Sequence, residues 1–329
     1  MNETRSIAYQ GEPGANSHIA CLDNYPHLTP LPCATFEDAF AAVQDGSAEL
    51  GMIPIENSVA GRVADIHALL PESGLHIVAE TFMPIHFQLL AAPGARIEDL
   101  RTVHSHVHAL GQCRKIIRRH NLKPVVASDT AGSAREVAEW GDKSRAALAT
   151  RLAGQIYGLA TLVSDVEDET HNTTRFVVLS KGEHWAPAGD GPVVTTFVFR
   201  VRNVPAALYK ALGGFATNSV NLTKLESYME GGHFTATQFL ADADGHPGDP
   251  PLKRALERRV GRVSIDVGEE LGGREFAAFH VALELGHVDA VGGEAAKRLV
   301  KRGGHVAHAK EEGRHGRPVA CFRPLWRFR

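Results

Sequence analysis

Short apolar runs alternate with longer amphipathic ones through the first 180 residues or so. Residues 6–9 read as a strand ending at Gly11. From Thr35 the period changes to that of a helix. Thr35 can cap it, with Asp38 at the third helical position; Phe36, Phe40 and Val43 share a face, and Gly46 closes it. Further strands are expected at 50–55, 75–81, 86–91, 101–105, 125–128 and 176–179, with helices at 108–120, 131–140 and 146–159. Strands alternating with helices predict an α/β unit built on a largely parallel sheet.

Residues 181–192 (KGEHWAPAGDGP) break this rhythm and read as a linker. Beyond them the pattern gives a strand at 194–201, a helix at 206–216 and a strand at 220–229. A turn at 230–232, a strand at 233–242 and a helix at 251–257 follow. This β-α-β-β-α order calls for one more strand to complete a ferredoxin-like βαββαβ unit. From Arg258 the chain turns from net acidic to net basic and becomes rich in Gly and His. Residues 260–267 (VGRVSIDV) are the best substitute for the closing strand, and the tail beyond about 268 is expected to be poorly ordered. Three segments result: 5–182, 193–257 and 258–329.

Composition narrows the function classes. The chain has 329 residues, 43% of them hydrophobic and 22% charged, with a formal net charge of −3. That balance carries no nucleic-acid footprint and no attraction to membranes. Its four cysteines lie far apart with no CxxC pair, which suits a reducing compartment without disulfides or zinc. With no signal-like or membrane-spanning apolar run, the expected location is the cytoplasm.

The chemistry-bearing segments fall at strand-to-helix turns. Residues 9–18 (YQGEPGANSH) follow a strand and lead into a helix, where glycines admit a ligand and free N–H groups favour an anion at Ser17. They do not fit GxGxxG, so no dinucleotide is implied. Residues 54–61 (PIENSVAG) place Glu56, Asn57 and Ser58 at the end of an apolar strand, where ligands bind in such sheets; a helix cap is the other reading of Asn57 or Ser58. In 105–113 (SHVHALGQC) the histidines are not on one helical face, so Ser105 and Gln112 are read as hydrogen-bonding groups and no metal site is expected. Residues 129–134 (DTAGSA) suggest Thr130 as a helix cap. Finally, 168–176 (DETHNTTRF) sets Arg175 among hydroxyls beside a strand, where its planar fork can clamp a carboxylate or lie on a surface edge.

Together, in this order and spacing, these segments resemble the prephenate dehydratase family from about Ile7 to Leu256. Residues 204–208 (VPAAL) and 221–228 (NLTKLESY) resemble the two signature segments of the ACT domain that follows the catalytic domain there. The resemblance implies a two-lobed, periplasmic-binding-protein-like catalytic domain over 5–182, with chain crossings near 80–84 and 171–176. An ACT domain over 193–257 would follow. It further implies decarboxylative dehydration of prephenate to phenylpyruvate in phenylalanine biosynthesis, without a cofactor. Arogenate as substrate and a non-catalytic binding protein are the alternatives. On this resemblance Thr174 is the proton or hydrogen-bond donor, with Asn57, Ser105 and Gln112 polarising it and Glu56 either an acid or an anchor. Arg175, Ser58, Ser17, Thr130, Asn172 and Phe176 would bind substrate. Ala206, Ala207, Leu208, Asn221, Leu222, Glu226 and Ser227 would bind phenylalanine as effector, in a homodimer or homotetramer. Two positions depart from the family pattern: Ala206 stands for a glycine, and Tyr228-Met229 for Arg-Pro.

Overall fold

The computed structural model describes residues 5–63, 66, 69–184, 193–201, 203–229, 236–257 and 283–284. All of them fall in one compact unit, Met1–Gly286; a second unit, His287–Arg329, contains none. Two lobes and a third layer make up the described part. In the first lobe, β1 (Ser6–Gln10), β2 (Thr29–Cys33), β3 (Leu50–Asn57), β4 (Gly61–Arg62) and β5 (His76–Pro84) join a later strand, β11 (Thr173–Ser180). Their order is β2-β1-β3-β11-β5, with β4 hydrogen-bonded to β3. The β1 pairings are parallel, and β11 runs antiparallel to both β3 and β5. The sheet is therefore mixed where a largely parallel one was expected, because the returning strand closes it. The helix Phe36–Asp45 forms as its sequence dictates. Asp38 N–H donates to Thr35 Oγ1 at 3.1 Å, Thr35 N–H donates back to Asp38 Oδ2 at 3.2 Å, and Gly46 ends the helix at φ 84°.

The second lobe holds β6 (Gln88–Ala91), β7 (Thr102–Ser105), β8 (Lys123–Val126), β9 (Arg145–Ala149) and β10 (Ala160–Val163) in the order β10-β6-β9-β7-β8. Here the helix expected at 146–159 divides. Ala146 to Ala149 are fully buried in β9, and Thr150 then caps a short helix, Arg151–Ile156. Alanine favours helix, but a position between β6 and β7 overrides that preference. The expected 108–120 helix likewise splits at Cys113 into Val107–Gln112 and Arg114–Arg119. The edge strand β2, TPLPC, escaped the pattern because its two prolines are tolerated only at a sheet edge.

The chain crosses between lobes twice, through residues 85–87 and 164–172, and backbone bonds clasp the crossings. Ile85 N–H donates to Asn172 O at 2.8 Å and Val166 N–H to Phe87 O at 2.9 Å.

The third layer is a sheet of β12 (Val194–Arg200), β13 (Leu222–Met229), β14 (Ala236–Asp244) and β15 (Leu283–Glu284), ordered β13-β14-β12-β15. Its β-α-β-β-α course matches the expected one. Phe197, Phe199 and Phe239 on one face pack with Phe215 and Leu252 of the helices Ala207–Ala216 and Pro250–Glu257. Val198 and Leu240 on the other face join the first-lobe core with Ile53, Ile55, Val177 and Leu179. Two sheets are thus packed face to face, with β3 and β11 between the third layer and the cleft. A crossover strand following β14 and its helix would run parallel to β14, and so antiparallel to β12. Among the described residues, those on the edge of β12 away from β14 are Leu283–Glu284, and they run parallel to it. The expected closing strand at 260–267 and the rest of the tail, apart from Leu283–Glu284, lie outside the described residues.

Candidate active site

A cavity of about 710 Å³ opens between the two lobes. Gln10, Ser17, Thr35, Asn57, Thr174 and Phe176 line it from the first lobe; His106, His108, Gln112, Ser128, Asp129 and Thr130 line it from the second. Helices Asn16–Asn24, Phe36–Asp45 and Thr130–Trp140 all begin at its wall, which gives the cavity a positive backbone potential. Among the described lining residues Arg62 is the one arginine or lysine, and its guanidinium is directed to Glu226 at 3.3 Å.

At the floor lies an amide network around Thr174. Asn57 Nδ2 donates to Thr174 Oγ1 at 3.0 Å and to Asn172 Oδ1 at 2.8 Å. Asn172 Nδ2 in turn donates to Gln112 Oε1 at 2.7 Å. The orientation of Asn57 is fixed, since its Oδ1 accepts from Val59 N–H at 3.0 Å and Ala60 N–H at 2.8 Å. One lone pair of Thr174 Oγ1 is therefore occupied, and its own proton is free to point into the cavity. Thr174 and Asn172 are buried, so these bonds form in a medium of low dielectric where they are strong.

A β-bulge aims Asn57. Arg175 pairs with Glu56, but the next residue, Phe176, pairs with Pro54, leaving Ile55 unopposed. Ile53 and Ile55 face the third layer, so simple alternation would send Asn57 the same way. The extra residue shifts the phase by one and turns Asn57 to the cleft beside Thr174.

Several expected site residues do not reach the cleft. Arg175, expected as a carboxylate clamp, alternates with Thr174 and Phe176 and faces the third layer. There it pairs with Glu80 and with Asp242, both at 2.6 Å. Burial works to lower its pKa, yet Asp242 and Glu80 together hold it above the ordinary value, so it stays charged. Glu80 is pushed up chiefly by burial, against the pull of Arg175. Glu56, read as either an acid or an anchor, meets Lys224 Nζ at 2.6 Å, a contact that favours the anchor. Ser105 is fully buried and donates to Leu148 O at 2.6 Å, because β7 turns it toward β9 and not toward the cavity. Ser58 is exposed and spends its hydroxyl on His171 O at 2.7 Å, tying the crossing to β3. Thr130 lines the cavity, but the cap of its helix is Asp129, whose Oδ1 accepts from Gly132 N–H at 2.6 Å.

His106 and His108, whose spacing implies no metal site, line the second-lobe wall with rings 5.0 Å apart. Burial, and then the neighbouring His108, lower the pKa of His106, so it is neutral near pH 7. Their i, i+2 spacing after a strand was the available signal. His86, Asp165 and Glu167 also cluster as potential ligands, which sequence spacing did not reveal. Protein donors already engage these groups: His86 Nδ1 lies 2.6 Å from Glu167, whose other oxygen accepts from Phe87 N–H. They therefore act as a clasp between the crossings.

The glycine-bearing turn after β1 serves the other lobe. Gly14 has φ +92°, and a Cβ there would lie 2.6 Å from Ala153 Cα. Thr150 Oγ1 donates to Gly14 O at 2.5 Å and Tyr157 to Pro13 O at 3.0 Å, so this turn joins the lobes at the cavity's edge.

Residues 7–184 match the family model described as "Prephenate dehydratase". The chain belongs to the prephenate dehydratase family. A Komagataeibacter europaeus relative named as a bifunctional N-acyl-homoserine lactone acylase/prephenate dehydratase is 54% identical over 78% of this chain and 92% of its own length. An Arabidopsis thaliana relative, arogenate dehydratase/prephenate dehydratase 1, is 39% identical over 67% of this chain, and the match spans 56% of the plant protein. Among solved structures, Arthrobacter aurescens prephenate dehydratase in complex with L-Phe aligns with a TM-score of 0.70 and 32% identity. That alignment covers 76% of this chain and 84% of the other. The two lobes and their crossings are thus the family's α/β enzyme fold. No helix among the described residues is long and apolar enough to cross a membrane.

Proposed function

We propose that this dehydratase-family enzyme converts prephenate to phenylpyruvate, water and carbon dioxide, serving phenylalanine biosynthesis. The observation that carries this reading is the bond from Asn57 Nδ2 to Thr174 Oγ1. In the reaction the bond from the ring to its carboxylate breaks and carbon dioxide leaves, while the freed pair shifts through the ring and expels the hydroxyl from the opposite ring carbon. The third double bond forms as that C–O bond breaks, and the hydroxyl departs with a donated proton as water. A threonine whose oxygen already accepts an amide bond presents its O–H outward, where it can donate to that departing hydroxyl. A positioned donor of this kind contributes roughly 10²–10⁴-fold. Orientation between the lobes lowers the barrier further, by up to ~7–11 kcal/mol in favourable systems.

The helix N-termini at the cavity wall favour the carboxylates of the substrate. Helix N-termini and the hydroxyls of Ser17 and Thr130 take the carboxylates, in the role first assigned to Arg175. The aromatic Phe176 underlies the ring. A second reading, arogenate as substrate, is favoured by Glu37 and Asp129 on the wall, either of which can receive an ammonium group. For the acylase activity in the name of the Komagataeibacter relative, a hydroxyl nucleophile would have to lose its proton to a base. Thr174 is bonded to an amide donor, an arrangement that suits giving a proton.

Residues 193–257 are read as an ACT-type domain sensing phenylalanine, in a cytoplasmic homodimer or homotetramer. The β-α-β-β-α course supports this, as does the L-Phe complex of the Arthrobacter relative. Ala206 to Leu208 start a helix near one end of the sheet, while Asn221, Leu222, Glu226 and Ser227 lie on or beside the edge strand β13. The testing experiment measures phenylpyruvate from prephenate, with arogenate and an N-acyl-homoserine lactone in parallel. Prephenate turnover supports the reading, and lactone cleavage without it overturns the reading.

A further inference from the structure

A bulge is the weakest point of a ladder, because its extra residue is left unpaired. The one in β3 decides whether Asn57 faces Thr174 or the third layer, and the third layer grips it from behind. Glu56 and Arg175 stand directly opposite each other across β3 and β11. Facing them, Lys224 and Asp242 stand directly opposite each other across β13 and β14. The charges are crossed. Lys224 Nζ meets Glu56 Oε2 at 2.6 Å, and Arg175 NH1 meets Asp242 Oδ2 at 2.6 Å. Thr196 donates to the remaining oxygen of Asp242 at 2.7 Å, so that carboxylate is held in one orientation.

We propose that this quartet is a positioning device, in which Lys224 and Asp242 of the third layer hold the β3 bulge in the form that aims Asn57 at Thr174. The inference rests on the reading of Thr174 and Asn57 as the catalytic pair. A one-residue slip in a strand exchanges its faces, and here a slip would withdraw the amide that polarises Thr174. Lys224 and Asp242 touch no part of the cavity, so their effect falls on turnover and not on substrate affinity. Lys224 also lies on β13, beside the expected effector residues Glu226 and Ser227. A ligand that displaces β13 would therefore reach the active site through Lys224 and Glu56.

Lys224→Met removes the charge and keeps the stem, while Lys224→Arg keeps both. With prephenate and the full chain, Lys224→Met should lower kcat about ten- to a hundredfold, in line with the cost of a ~1 Å misplacement. KM should stay within about twofold of wild type, as for an interaction felt only in the transition state. Lys224→Arg should recover most of kcat. Circular dichroism at the assay temperature confirms that each variant is folded. Should Lys224→Met fail to fold, Glu56→Leu breaks the same contact from its exposed end and should show the same kcat loss. A wild-type kcat in Lys224→Met, or in Glu56→Leu if the first does not fold, overturns the proposal, as does a loss confined to KM. A wild-type enzyme that does not turn over prephenate overturns the functional reading itself, and this inference with it.

Discussion

Arg175 carries two carboxylates, Glu80 and Asp242, on side chains that are 6% and 3% exposed. Removing one member of a buried ion cluster leaves the others uncompensated and typically costs ~3–5 kcal/mol. Arg175→Met should accordingly lower the melting temperature by several degrees. A substrate clamp would behave differently, raising KM with an unchanged melt, so calorimetry and kinetics on one variant separate the two roles. Ala206 offers a test of opposite sign. It caps the helix Ala207–Ala216 with φ 62°, a left-handed conformation that costs a residue with a Cβ roughly 1–2 kcal/mol. Glycine is the residue the family pattern leads one to expect there. Ala206→Gly should stabilise the chain by about 1 kcal/mol, read as a higher midpoint in urea, and an unchanged or lower midpoint contradicts this.

At the scale of elements, the turn after β1 and the helix Arg151–Ile156 bring the lobes together at the cavity. Gly14→Ala would place a Cβ against backbone in a conformation that already disfavours it. The variant should lose ~1–3 kcal/mol of stability and show reduced kcat, since the turn would have to retreat from Ala153. Thermal melts and steady-state kinetics check both, and a wild-type melt contradicts the close approach. The same scale shows what the sequence made legible. The capping box at Thr35 and the β-α-β-β-α course of the third layer were readable, because local chemistry and tertiary context agree there. The buried strand Ala146–Ala149 was not, because its alanines favour a helix until β6 and β7 flank them. The cleft strands were half legible. Thr174, Asn57 and Gln112 converge as expected, whereas Arg175 and Glu56 turn away. A bulge leaves no mark on hydrophobic alternation, and it alone decides which side of β3 each polar residue occupies.

Across the whole molecule, pH acts through partly buried histidines. Burial is the main cause lowering the pKa of His18, His104 and His106. The unfolded chain takes up these protons near pH ~6.5 and the folded chain only at lower pH. Below that point the unfolded state binds more protons, so the stability these groups give is present above ~6.5 and lost as pH falls through their folded values. The raised Glu80 has the opposite sign. Its contribution is present below the ordinary carboxylate range and is lost as pH rises through its raised value. Denaturation midpoints should therefore fall from pH 7.5 to 5.5, with a shallower slope in His18→Gln, and a flat profile contradicts the assignment.

Turnover is proposed to depend on Thr174, whose proton the amide network leaves free for the cleft. The most direct measurement compares the rate of phenylpyruvate formation from prephenate by the wild-type chain and by Thr174→Ala, at saturating substrate and with both proteins folded. The prediction is ready turnover by the wild type, and a kcat lowered by roughly 10²–10⁴-fold in the variant with KM within a few-fold. A Thr174→Ala enzyme with near-wild-type kcat would contradict it.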